Sequence, residues 1–400
     1  MSLETDMVRV LRERKLLITS LAEDDIELAI AIKNLHKKLD QPKILYLMLA
    51  QGCNFSCRYC PIPSQASRYG ENLMSSEAAR SGIILWAEHL NDAGGQVDNT
   101  IIFYGGEPLL NKTTLMSAIS DIDEMKKSGR LPKETGITLV TNSVLIDETV
   151  IDRCREHNIV VMVGIDGHKV SANSLRLYPD GSETFSDTVN VIRRLVSSGI
   201  KVFVSASMTP SNLDEIQELT IFLKKLGVEK FGLNFLKGRG LADLMPEPER
   251  CDFEYGCAKA LIRNYNENKD DEYEYQVARK VMAFKNHDYF PVDCTCYGNQ
   301  LVVQADGQIS NCPFFRANLG QVGRVGRNFR INKTQIVVEW RKRLPIVNAS
   351  YRECDAKALC GPGCAWSVLE LTGDVVAPDT MTKTFSEEVF NELIWSKYEK

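Results

Sequence analysis

The sequence predicts an α/β protein built on a parallel sheet, and three observations point there. Apolar, strand-like runs recur at residues 44–50, 100–104, 137–141, 160–165, 202–207 and 231–235. Helix-patterned segments alternate with them at 76–89, 115–128, 148–156, 186–198 and 212–226. Such alternation is the mark of βα units, which place their strands side by side and their helices on the face of the sheet. Finally, a chain of 400 residues is long enough for one large core plus an appendage. Six units are visible where a closed barrel needs eight. No repeat is found beyond that rhythm.

The elements follow in order. Residues 1–40 read as helical: Ser20-x-x-Glu23 has the form of a capping box, and Ile26, Leu28, Ile30, Ile32 and Leu35 follow at mixed amphipathic spacing. Residues 41–240 hold the six units. A helical linker spans 241–290, a cysteine-rich module 291–370 and a terminal helix 371–400. Within the module, 301–309 reads as a β-hairpin turning at Asp306-Gly307.

Composition narrows the function. The net charge of −5 gives no electrostatic reason for nucleic acid or an anionic membrane as partner. Apolar runs such as 159–165 are far too short to span a bilayer. Twelve cysteines without a secretory segment before them favour metal ligation or thiol chemistry over a disulfide framework, and a cytoplasmic location.

Cys53, Cys57 and Cys60 lie in the run Gly52-Cys53-Asn54-Phe55-Ser56-Cys57-Arg58-Tyr59-Cys60, directly after the first strand. Three thiolates can hold three irons of a cubane and leave the fourth open to a substrate or cofactor, as a catalytic zinc keeps one position free. The alternatives are a three-cysteine zinc site or reduced core thiols. Zinc would want a fourth ligand, and no histidine follows within twenty-five residues. At the end of the second strand stands Gly105-Gly106-Glu107-Pro108. Its glycines let carbonyls approach a ligand, and its carboxylate suits an ammonium.

The spacing Cys-x3-Cys-x-Tyr-Cys, followed one unit later by Gly-Gly-Glu-Pro, resembles the radical S-adenosylmethionine (SAM) enzymes. The resemblance implies a partial (β/α)6 barrel open on one side. It also implies a [4Fe-4S] cluster whose open iron chelates SAM, and reductive cleavage of SAM to a 5′-deoxyadenosyl radical. Gly105, Gly106 and Glu107 would then hold the SAM amino group. Thr141-Asn142-Ser143 stands where the family commonly has Thr-Asn-Gly, so Ser143 is a departure. Asp166-Gly167 ends the fourth strand where the family often reads Ser-x-Asp-Gly; here Gly164 replaces the serine. Arg176 fits the arginine that reaches the SAM carboxylate, a bidentate match for a guanidinium. Tyr59 offers an aromatic face near the adenine or a plain packing surface. For Asp166 and Arg176 a turn and a solvated charge remain the alternatives.

In the C-terminal third, Cys296 is followed by Gly307-x4-Cys312, and Cys354, Cys360 and Cys364 are spaced Cys-x5-Cys-x3-Cys. These groups resemble the SPASM extension, a small cysteine-rich iron–sulfur module carrying auxiliary clusters. Tyr351 stands where the family pattern begins Cys-x2-Cys, and no cysteine follows Cys364. The resemblance therefore implies at least one auxiliary [4Fe-4S] cluster, as in the single-cluster "twitch" form, with a zinc ribbon as the alternative. Cys251, Cys257 and Cys294 are near enough in sequence to supply a second, and Cys154 reads as an ordinary buried thiol.

Within the family this module is commonest in enzymes that modify peptides. The resemblance thus implies an oxidoreductase or maturase that takes hydrogen from a precursor peptide and leaves a crosslink or other oxidative change. A flavodoxin or ferredoxin would be the electron donor. A small-molecule dehydrogenase or epimerase of antibiotic biosynthesis is the other enzymatic reading, and an iron–sulfur electron carrier the third. The forty residues before the barrel are short for a winged-helix leader-binding domain. The acidic, aromatic run at 268–275 suits either a basic leader peptide or a solvated helix surface.

Overall fold

The protein's structure, a computed structural model, describes residues 21–41, 43–62, 72–94, 98–246, 249–268, 272–286, 292–326, 328–351 and 353–397. It divides into two compact units, residues 1–40 and residues 41–400. In the first, Leu21–Leu39 is one helix, α1, with His36, Lys37 and Lys38 in its last turn, where cations offset the carbonyl end of the helix dipole. Ser20 and the preceding residues lie outside the described residues.

The second unit carries an eight-stranded sheet ordered β6-β5-β4-β3-β2-β1-β7-β8. The six expected strands are β1 (Ile44–Ala50), β2 (Thr100–Gly105), β3 (Gly136–Thr141), β4 (Val160–Gly164), β5 (Val202–Ser207) and β6 (Lys230–Asn234), each parallel to its neighbour. Between them run α2 (Ser76–Asp92), α3 (Lys112–Lys127), α4 (Glu148–Glu156), α5 (Phe185–Ser197) and α6 (Ile216–Leu226). Helix α6 starts four residues later than expected. Asn212 turns its side chain away from capping and donates to the carbonyls of Asp166 and Ser207 at 2.6 and 2.7 Å, so the chain makes a short 3-10 turn first.

The hairpin also lies where expected, as β7 (Gln300–Val303) and β8 (Ile309–Ser310), but it joins the main sheet. Strand β7 pairs parallel with β1, with Ile44 opposite Gln300 and Leu47 opposite Val303, and β8 closes back antiparallel. Around it lie α7 (Gly238–Leu244), α8 (Glu249–Glu267), α9 (Tyr275–Lys285), α10 (Gln335–Arg341), α11 (Ala365–Thr372) and α12 (Thr380–Val389). The run at 268–275 departs from both of its readings. Tyr273 and Glu274 are buried, and Glu274 caps α9 by accepting from the Gln276 and Val277 amides at 2.9 and 3.0 Å. Residues 269–271 lie outside the described residues.

Alternation along β2, β3 and β4 shows where the core sits. The side chains of Ile101, Phe103, Ile137, Leu139, Val161 and Val163 face the helices and are buried, each contributing roughly 1.5–3 kcal/mol. Their neighbours in sequence face the other way and remain half-buried. A closed barrel of eight strands packs that inner layer solid. Here Tyr46, Tyr104, Val140, Met162, Ser205 and Asn234 stay partly accessible and line an open chamber.

Candidate functional site

The cysteine loop leaves the C-terminal end of β1 and is tied across the barrel. The Ser56 and Arg58 amides donate to the carbonyls of Leu177 and Leu175 at 2.7 and 2.9 Å, which brings Arg176 onto the loop. The Cys60 amide closes a tight turn on the Cys57 carbonyl at 3.0 Å. Burial pushes the Cys53 thiol up to about 11 and Cys60 up to about 12, and raises Cys57 as well. The Phe55 amide, 3.4 Å from the Cys53 sulfur, pulls the other way. Thiols held this way ionise only against a strong local cation, which iron supplies. Among the described residues, no group of three or more His, Cys, Asp or Glu side chains is arranged to hold one metal ion. A cubane asks for a different arrangement, with each thiolate on its own iron. The donor set of the loop fits that group.

Gly105 and Gly106 bring the end of β2 against this loop. Their amides and that of Glu107 run along its backbone, Gly106 donating to Ala50 and Glu107 to Gly52 at 2.8 and 2.9 Å. A Cβ on Gly105 would stand 2.2 Å from the Ala50 oxygen, and one on Gly106 2.1 Å from the Gly52 oxygen. Only glycine permits that approach. The Glu107 carboxylate is fully buried and accepts from the Leu109 amide, the Thr141 hydroxyl and the Asn142 amide at 2.9, 2.7 and 2.8 Å. Three of about four lone-pair positions are thereby filled. Burial still pushes this carboxyl up to about 7, and an ammonium at the remaining position would bring it down.

Asn142 joins β3 to the same loop. Its side-chain Nδ2 donates to Asn54 Oδ1 at 2.7 Å and lies 3.7 Å from the Cys53 sulfur. Ser143 is fully buried at φ 77°, in the left-handed region, with its hydroxyl lacking a partner among the described residues. The backbone here requires what the family's glycine supplies, so the departure at Ser143 carries strain. Ser143→Gly is expected to stabilise the protein by about 1–2 kcal/mol, read from the midpoint of urea unfolding.

Across the chamber, Asp166, Arg176 and Tyr59 form one buried network. Arg176 Nε and Nη2 donate to the Asp166 carboxylate at 3.3 and 3.2 Å, and Nη2 also to the Tyr59 oxygen at 2.7 Å. Tyr59 in turn donates to Asp166 Oδ2 at 2.5 Å, and the Ser207 amide to Oδ1 at 2.9 Å. Asn173 holds the Asp166-Gly167 turn by accepting from both amides at 2.8 and 3.2 Å. Asp166 is therefore the buried partner of Arg176, which is neither a bare turn residue nor a solvated charge. The guanidinium lies against Gly164, where an added Cβ would stand 2.8 Å from Nη1. The missing serine is thus the space Arg176 occupies. Nη1 makes no hydrogen bond to a described residue.

The C-terminal cysteines separate into two sets. Cys296 lies near enough to Cys294, Cys312 and Cys364 for each to act on its charge, and Cys312 feels Cys364 and Cys294. The Cys296 thiol, donating to Cys294, draws Cys294 down to about 6 against burial, and Lys237 adds to that pull. Burial raises the other three. Four thiols so placed fit a fully ligated cubane. The loop carrying Cys364 is held firmly. Fully buried Arg343 donates to the Pro362 and Ala377 carbonyls at 2.6 and 2.7 Å, and Asp379 accepts from the Cys364 amide at 2.9 Å. Cys354 and Cys360 form the second set, lying close enough together for Cys354 to act on the Cys360 thiol.

Burial raises the hydroxyl of Tyr104, the last inward residue of β2, and the charges of Cys60, Cys312 and Cys53 add to that. Its ring meets Tyr46 and Phe314 edge-on at 6.0 and 6.2 Å, and Phe314 packs on Trp366 at 5.3 Å.

Residues 47–223 match the family model described as the radical SAM superfamily. That stretch of the chain is a radical SAM domain. This radical SAM enzyme is 21% identical to the radical SAM cyclopropyl synthase TigE of Paramaledivibacter caminithermalis, over 85% of this chain and 71% of that one. It is 22% identical to the cysteine-type anaerobic sulfatase-maturating enzyme of Clostridium perfringens strain 13, over 79% and 86% of the two chains. Its fold matches native anSMEcpe with bound AdoMet and Cp18Cys peptide at a TM-score of 0.72 and 17% identity, covering 90% and 98% of the chains. It also matches Streptococcus suis SuiB bound to S-adenosylmethionine at 0.55 and 16%, covering 95% and 87%.

In this radical SAM enzyme, Cys251 and Cys257 lie on α8 and Cys154 on α4, none of them within the two sets above. Sequence spacing does not reveal Cys294, which stands outside the module's pattern, nor Arg343, whose burial has no local signature. Tyr104 has a signal, as the inward residue just before Gly105-Gly106. No helix among the described residues is long and apolar enough to cross a membrane.

Proposed function

We propose that this enzyme binds SAM on a cluster held by Cys53, Cys57 and Cys60 and oxidises a peptide in the chamber. The observation that carries the reading is the Cys53/Cys57/Cys60 loop held against the buried Glu107 carboxylate on one strand end and the Arg176 guanidinium on another. Gly105, Gly106 and Glu107 would receive the SAM ammonium, and Arg176 Nη1 its carboxylate. Asn142, Ser143 and Tyr59 would close the pocket around the rest of the molecule. Cys53, Cys57 and Cys60 would hold the cluster, which when reduced would supply the electron for SAM cleavage. An auxiliary cluster on Cys294, Cys296, Cys312 and Cys364 would take the electron left on the substrate. A flavodoxin- or ferredoxin-type carrier would serve as donor.

A peptide is favoured because sulfatase-maturating enzymes and SuiB, which is also known bound to its precursor peptide SuiA, share the architecture. A cavity of ≈ 390 Å³ beside the chamber, lined by Asn234, Lys237, Tyr275, Arg279, Cys294 and Cys364, offers room for part of a chain. The test is the reconstituted, reduced enzyme given SAM and peptides encoded by short reading frames beside its gene. Peptide-dependent 5′-deoxyadenosine with loss of two hydrogens from the peptide is expected. Turnover only with a sugar or cyclitol would replace this reading with the small-molecule one.

Binding can be tested separately. Losing one charge-assisted hydrogen bond costs roughly 1.5–3 kcal/mol, about ten- to a hundred-fold in affinity. Glu107→Gln and Arg176→Ala are each expected to weaken SAM binding by that factor while the cluster's absorption persists. Unchanged calorimetric affinity in both would place the pocket elsewhere.

A further inference from the structure

We propose that the second auxiliary cluster site of this module has been replaced by a buried Lys280–Asp293 ion pair, leaving one auxiliary cluster per chain. The inference rests on the reading above that Cys294, Cys296, Cys312 and Cys364 hold a cluster. It concerns what Cys354 and Cys360 do instead.

A cubane with protein ligands on all four irons needs four thiolates. Around Cys360 the described residues offer two. Tyr351, buried, takes the place of one thiol, and Cys354 turns its sulfur toward the Glu387 carboxylate at 3.6 Å. Cys360 donates to the Gly361 carbonyl at 3.3 Å. Beside Cys360, close enough to act on its charge, stands the ammonium of Lys280. That side chain is wholly buried and donates to Asp293 Oδ1 at 3.2 Å and to the Leu359 carbonyl at 2.9 Å, with the Phe385 ring 5.6 Å away. An ammonium has three donors and no lone pair, so it ligates no iron. A buried lysine held by a carboxylate and a carbonyl is also a fixed part of the fold, because removing Asp293, which Arg279 also meets at 3.0 Å, would strand it. The residues here do not fit a cluster.

The same aspartate links the two sites. Asp293 holds Lys280 through Oδ1 and precedes Cys294, the fourth thiol of the surviving group. The backbone of Gly361 packs onto Asp293 so closely that a Cβ would stand 2.3 Å from its amide nitrogen. That contact sets the Cys360–Cys364 loop beside Cys294. The ion pair that fills one site thus fixes a ligand of the other, and the two departures from the family pattern are one structural solution.

The test is iron and sulfide analysis with Mössbauer spectroscopy on anaerobically reconstituted full-length protein. The wild type is expected to hold about eight irons and the Cys53/Cys57/Cys60→Ala variant about four. Cys354→Ser/Cys360→Ser is expected to keep about eight with unchanged spectra, whereas Cys294→Ser should disturb the auxiliary signal alone. About twelve irons in the wild type, or loss of about four in the Cys354/Cys360 variant, would overturn the replacement. The wild-type count decides the matter even where that variant does not fold. No iron in the triple alanine variant would instead remove the auxiliary cluster itself, a distinguishable failure.

Discussion

Asp166→Ala is expected to destabilise the protein by about 3–5 kcal/mol, because it leaves the Arg176 guanidinium buried without its counter-charge. The pair is nearly closed to solvent, with side-chain exposures of 12% for Arg176 and 1% for Asp166, so screening offers little relief. The loss reaches further than two residues. Asp166 also receives the Tyr59 hydroxyl and the Ser207 amide, so its removal strands donors on the cysteine loop and on β5. Urea unfolding of the apoprotein should show a large drop in midpoint at nearly constant slope. The double variant Asp166→Ala/Arg176→Ala should lose less than the sum of the single losses, since the second truncation removes the charge that the first stranded. Additive losses would mean the two side chains do not act on each other. The Asp166 carboxylate is turned wholly to protein donors, while Nη1 of Arg176 bonds to no described residue.

Replacing Cys53, Cys57 and Cys60 together with alanine is expected to abolish conversion of SAM to 5′-deoxyadenosine. The three thiols are the loop's whole donor set, and burial keeps them protonated without a metal. The fold should survive, because the loop lies beyond the strand ends and its backbone bonds to Leu175, Leu177, Ala50 and Gly52 involve no sulfur. Far-ultraviolet circular dichroism should therefore be unchanged while the nucleoside disappears from the chromatogram. Nucleoside formation at the wild-type rate would remove the cluster from this loop.

Much of this architecture is legible because it is local. Strands β1 and β5 and helix α4 have the bounds that their apolar patterning implies. The cysteine loop is legible from three residues of one type in a fixed spacing. What stays hidden is long-range. The pairing of β7 with β1 joins segments some 250 residues apart, and no local pattern in Gln300–Val303 names its partner. Glu107 is readable as a conspicuous carboxylate, but its three donors come partly from β3 and appear only when the strands are adjacent. Arg176 looks like a surface charge until Gly164 is seen to make room for it. Glu274, set in an acidic run, reads as solvated yet is a buried cap, because the backbone amides of α9 supply what water would have. Ser143 is the reverse case. Its departure from the family's glycine is plain in the sequence, whereas its cost depends on a φ that only the fold imposes.

The central claim is an iron at the Cys53/Cys57/Cys60 loop that is open to SAM, and electron paramagnetic resonance tests it most directly. The spectrum of the dithionite-reduced protein should change when SAM is added, because the ligand enters the coordination sphere of one cluster. In the triple alanine variant, the remaining auxiliary signal should be indifferent to SAM. A wild-type spectrum unmoved by saturating SAM, or the same SAM-induced change in the variant, would contradict the account.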